Sequence, residues 1–117
     1  MLSRFFLIFI ATLATNLHAS SCPISHDVEA MHNLFFVTAY TPNHEEVGSF
    51  IIRKPEQEEA EIAWACLNKA VELEHCNSMY LQALFYEYGM GEEGFGIEKN
   101  SKLAAAIKAK MKQSCSG

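Results

Sequence analysis

Apolar side chains recur at helical spacing in four stretches of the chain, and the clearest begins at Ser78. There Leu81, Leu84, Phe85 and Tyr88 form a stripe, Tyr80 and Ala83 fill the neighbouring face, and only Gln82 and Glu87 are clearly polar. Such a pattern predicts a helix covered on most sides. Gly89 stands where a left-handed C-cap belongs. After a glycine-rich elbow, Asn100 is a good N-cap for a second helix carrying Leu103, Ile107 and Met111 at four-residue spacing. Upstream, Ser25 to Tyr40 predicts an amphipathic helix capped by Ser25, with Asp27 and Glu29 near the positive end of its dipole. Its stripe is Val28, Met31, Leu34 and Phe35, widened by Ala30 and Val37, and Thr41-Pro42-Asn43 ends it. Val47 to Ile52 has the composition of a brief extended segment, but the pattern does not call for a sheet. Pro55 suits the first position of a further helix, loaded at its start by Glu56, Glu58, Glu59 and Glu61 and running to about Glu74. Ala63, Cys66, Leu67, Ala70 and Leu73 mark its buried stripe, with Trp64 partly covered beside it.

The Ser78–Ala109 stretch carries a resemblance. Its order of a small residue, Ala83-Leu84-Phe85-Tyr86, a glycine pair at Gly89 and Gly91, then Gly96-Ile97 and Asn100 before an alanine-rich helix, resembles a Sel-one-like repeat. That family is a branch of the tetratricopeptide-like helical repeats. Ser78, Ala83 and Tyr86 match its small opening residue, small mid-helix residue and aromatic. Gly96, Ile97 and Asn100 match the start of its second helix, and Lys69-Ala70 matches the end of a preceding repeat. Gln82 departs from the usual leucine, and Glu92 to Phe95 lengthens the elbow. A degenerate first copy spans about residues 25–75, with Phe35 where Ala83 sits and Thr41 in place of the glycine; the second spans 76–112. Ala63 and Ala104 are then equivalent positions. The resemblance implies an all-α fold: two antiparallel helix hairpins of a short right-handed solenoid. Two repeats fall short of the three usually needed, so disulfides are expected to supply the missing stability.

Residues 1–19 are expected to be a signal peptide rather than part of the fold. Arg4 gives a small positive region, Phe5 to Ala14 an apolar run too short to span a bilayer, and Leu17-His18-Ala19 a cleavage site. An uncleaved anchor is the competing reading. Lipidation of Cys22 is another, although Ala19 rather than leucine precedes it by three. The domain from Ser20 is about 98 residues, enough for one modest core. Without Arg4, eight basic residues face fourteen acidic ones, a net charge of −6. An acidic chain with no basic stripe is a poor partner for nucleic acid or an anionic membrane.

All four cysteines, Cys22, Cys66, Cys76 and Cys115, lie beyond the leader, and an even count in a small exported domain argues for two disulfides. By itself the sequence leaves three pairings open. If the hairpins stack as the resemblance implies, Cys115 is equivalent to position 74, beside Cys76. Cys66 lies about 12 Å back along its helix from Glu74, too far from Cys76 for the usual Cα separation of about 4.4–6.8 Å. The stacked fold therefore predicts Cys76–Cys115 and Cys22–Cys66.

Motifs for chemistry are thin. Gly89-Met90-Gly91-Glu92-Glu93-Gly94 spells a dinucleotide fingerprint, yet a helix precedes it and two carboxylates would repel phosphate. His26 and His32 share no helix face, His44-Glu45-Glu46 lacks the second histidine of a zinc protease, and His75 falls near a helix end. No serine sits on a nucleophile elbow. No catalytic residue, metal site or cofactor is expected. Of the tyrosines at 40, 80, 86 and 88, Tyr80 and Tyr88 are the candidates for a partner-binding surface, since tyrosine is favoured in hot spots. The resemblance implies a non-catalytic protein–protein interaction module, periplasmic or secreted in bacteria, whose partner is another protein. The alternatives are an inhibitor or immunity-type protein blocking one secreted partner, or a small cell-wall-related hydrolase.

Overall fold

The computed structural model describes residues 21–89 and 94–115. Expectations for the leader, for Gly91 and for Glu92–Glu93 lie outside these residues. Four helices and one small hairpin follow in order: α1 (Val28–Ala39), β1 (Tyr40–Pro42), β2 (Phe50–Ile52), α2 (Gln57–Glu72), α3 (Cys76–Tyr88) and α4 (Ser101–Ser114). The fold is mostly helical, as the periodicity predicts, but it is not all-α.

The exception is an antiparallel pair with Tyr40 opposite Ile52, Thr41 opposite Ile51 and Pro42 opposite Phe50. Local hydrogen bonds close its loop. The Asn43 side chain accepts from the Glu45 amide (3.0 Å), the Ser49 hydroxyl donates to the Glu46 carbonyl (2.9 Å), and Gly48 takes φ +89°. Arg53 then ties the outgoing strand to α1, donating its amide to the Ala39 carbonyl and its guanidinium to that of Val37. The pairing was not legible in the sequence because three residues per strand is too short for an alternation to register. Phe50 makes it worthwhile by packing on Phe36 and Tyr40.

Helix ends follow their caps. Asp27, not Ser25, caps α1, accepting from the Ala30 amide, so the helix begins at Val28. Pro55 stays outside α2, whose N-cap is Glu56 with no side-chain bond. At the other end Glu74 is left-handed (φ +59°); its amide donates to the Val71 carbonyl and the His75 amide to that of Ala70. This is a Schellman ending without glycine. It stops α2 before Leu73, which is 58% exposed rather than part of the buried stripe. Gly89 caps α3 at φ +64°, and Asn100 caps α4 by accepting from the Leu103 amide.

The start of α1 lies beside the end of α2, so this pair is antiparallel; Cys22–Cys66 (Cα–Cα 4.6 Å) and a bond from Lys69 to the Ile24 carbonyl fasten it. Cys76–Cys115 (5.8 Å) joins the start of α3 to the end of α4. Both disulfides are the pairs expected from stacked hairpins. The core is aromatic: Phe35 of α1 and Phe85 of α3 are fully buried with ring centroids 5.2 Å apart, and Trp64, Tyr40 and Phe95 close around them. Phe95, on the lengthened elbow, is thus partly buried against the core. Gly94 beside it permits the approach, since a Cβ there would lie 2.9 Å from the Arg53 carbonyl oxygen. Helix α4 buries only Ala104, and Leu103 is 43% exposed, so its four-residue stripe is shallower than its sequence implies.

Candidate functional site: a histidine–serine chain between the hairpins and an exposed tyrosine face

The residues of the repeat-like stretch do local structural work. Ser78 and Ala83 are buried, Gly89 and Gly96 hold positive φ, Ile97 is half-buried and Asn100 caps. Tyr86 is only half-buried, edge-on to Trp64 at 5.7 Å; the fully enclosed aromatic is its neighbour Phe85. Burial pushes the phenols of Tyr40 and Tyr86 up from their ordinary value. Tyr80 and Tyr88 point outward on α3, 57% and 66% exposed. The odd residue of the motif, Gln82, is buried and donates to the Asn68 side chain of α2, which is why an amide is accommodated where leucine is usual.

The structure also assembles a constellation that the linear pattern did not reveal. Glu29 and His32 stand one turn apart on α1; His75 and Ser78 stand at the equivalent spacing at the start of α3. His75 is the N-cap of α3, and its Nδ1 accepts from the Ser78 amide (3.2 Å). That nitrogen therefore carries the lone pair, and Nε2–H donates to the Glu29 carboxylate at 2.8 Å. The Ser78 Oγ lies 2.8 Å from His75 Nδ1 and 2.8 Å from His32 Nδ1. A single consistent assignment follows. His32 Nδ1–H donates to Ser78 Oγ, the hydroxyl donates to His75 Nδ1, and His75 donates to Glu29. The imidazoles stand 5.1 Å apart. Burial first, and then the neighbouring His75, hold His32 below the ordinary imidazole range, against a smaller opposing pull from Glu29.

In order of atoms, Ser78–His75–Glu29 has the composition of a hydrolytic triad. Its nucleophile, however, is 0% exposed and engaged by both imidazoles. A carbonyl substrate cannot reach Oγ without α1 and α3 parting. The chain's visible effect is mechanical: it joins α1 to the N-terminus of α3. Removing the acceptor at His75 Nδ1 would strand a buried hydroxyl, at about 1–3 kcal/mol, and a cap, at about 1 kcal/mol. The Glu29 contact, 68% exposed on the carboxylate side, is worth no more than about 1 kcal/mol. Among the described residues no three His, Cys, Asp or Glu side chains are placed to hold a metal, and no helix is long and apolar enough to cross a membrane. His26 and His44 are exposed.

The missed signal was cross-helix. Helical spacing relates His32 only to its own neighbours such as His26, whereas its partners lie 43 and 46 positions downstream. Comparison with models of known families, with characterised proteins and with solved structures found no match.

Proposed function

We propose that the protein is an exported, non-catalytic protein-interaction module built from two Sel-one-like hairpins, acting in the bacterial periplasm or outside the cell. The observation that carries the reading is the division of labour on α3. Ser78, Ala83 and Phe85 turn inward, while Tyr80 and Tyr88 stand exposed on the same helix. Exposed tyrosines offer large contact area at small entropic cost. Two disulfides suit an oxidising, extracytoplasmic compartment, and no described cysteine is free. The leader-like residues 1–19 agree with export.

The test uses protein purified from the cell envelope, where the mature N-terminus should be Ser20 or a near neighbour. Cross-linking captures the partner, and titration of wild type and Tyr80→Ala follows. Tyr80→Ala should leave the melting temperature nearly unchanged and weaken binding by more than about 1 kcal/mol. Equal affinity would remove Tyr80 from the binding face, and an early melt would make it a packing residue.

A further inference from the structure

We propose that the Glu29–His75–Ser78–His32 chain is an acid-sensitive latch that holds the first helical hairpin against the second. The disulfides set up this role by what they leave undone. Cys22–Cys66 closes the α1–α2 side and Cys76–Cys115 closes the α3–α4 side. Neither spans the two halves, whose covalent link is the short connection Leu73–His75. Across that boundary run the Phe35–Phe85 core, the Gln82–Asn68 bond and the latch.

The latch works in one protonation state. His75 Nδ1 already receives the Ser78 amide and the Ser78 hydroxyl. A proton on that nitrogen would face both donors, so the cap on α3 and the link to His32 would be lost together. A proton on His32 would instead place a cation beside His75, at the positive end of α3. Either event strikes the same contact, since Ser78 Oγ lies 2.8 Å from both Nδ1 atoms. The charged group facing them is Glu29 on α1, whose carboxylate lies largely in water. Glu74 in the connection is turned to the Ser114 hydroxyl of α4. Helix α2 meets this part of α1 with the uncharged Cys66 and Ala70, and its Lys69 ammonium is turned to the Ile24 carbonyl just before α1. Among the described residues no buried carboxylate compensates the added proton.

The sign for His32 agrees. Its folded value lies below its unfolded one, so its contribution to stability is present above about pH 6.5 and is lost as pH falls through the lowered value.

The inference is independent of any partner. It is tested on the oxidised protein by thermal melts at pH 7.5 and 5.5 for wild type, His75→Asn and His44→Asn. Asparagine caps helices as well as any residue but does not titrate. Wild type and His44→Asn should each lose about 4 °C or more on acidification, and His75→Asn less than half as much. A flat wild-type profile, or a full loss in His75→Asn, would overturn the latch. Wild-type protein provides a check that needs no variant. Imidazole nitrogen spectra at pH 7.5 should show His75 protonated at Nε2 alone, and acidification should shift the Ser78 amide in step with the histidine signals. A proton on His75 Nδ1 at pH 7.5, or a Ser78 amide indifferent to pH, would equally refute it.

Discussion

Replacing Phe85 by alanine removes the ring on which two other helices, the elbow before α4 and the β-hairpin converge. Phe85 is fully buried, and its centroid lies 5.2 Å from Phe35, 5.8 Å from Phe95, 6.0 Å from Trp64 and 6.2 Å from Tyr40. Truncating a buried phenylalanine costs about 3–5 kcal/mol. Four ring contacts, each contributing about 0.5–1.5 kcal/mol beyond area burial, put this site at the upper end, about 5 kcal/mol. A domain of this size has about 5–15 kcal/mol in all. The variant should therefore lose a third or more of its stability, and its melting temperature should fall by about 20 °C or more. Tyr86→Ala is the comparison. Half-buried and in ring contact with Trp64, it should cost about 2 kcal/mol, well short of its neighbour. Helical circular dichroism during heating, with urea titration to check that the slope is unchanged, measures both. A larger loss in Tyr86→Ala than in Phe85→Ala would refute the placement of the core, and would return the structural role to the position that the repeat resemblance assigns.

Two further outcomes bear on the features that depart from expectation and on those that do not. Gln82→Leu supplies the residue usual in the repeats that this stretch resembles; Asn68, half-buried at the surface of α2, can then turn to water, so stability should change by less than about 1 kcal/mol or rise. A loss above about 2 kcal/mol in the same melts would mean that the amide pair is a required inter-hairpin contact. Replacing both Cys76 and Cys115 by serine releases a loop of sequence separation 39, which the chain-entropy account values at about 4 kcal/mol. Denaturant titration of the double variant checks it, and a loss below about 1 kcal/mol would show that α4 docks without its tether.

Helix existence was legible from the chain because a 3.6-residue period is local. Each of the four stretches contains enough turns to display it, and Gly89 and Asn100 mark their boundaries by chemistry that acts within one turn. The disulfide pairing was also within reach, though only after a stacked arrangement was assumed, because pairing depends on which helix ends meet. Sequence reasoning could not place the β-hairpin, Phe95 or the histidine chain. Three-residue strands carry no period, and Phe95 lies on a loop whose packing is decided by Phe35 and Phe85 from elsewhere. Glu29, His32, His75 and Ser78 are unremarkable in their own helices. Hydrogen bonding reaches only about 3 Å, so their chemistry exists only once tertiary packing brings α1 against the start of α3.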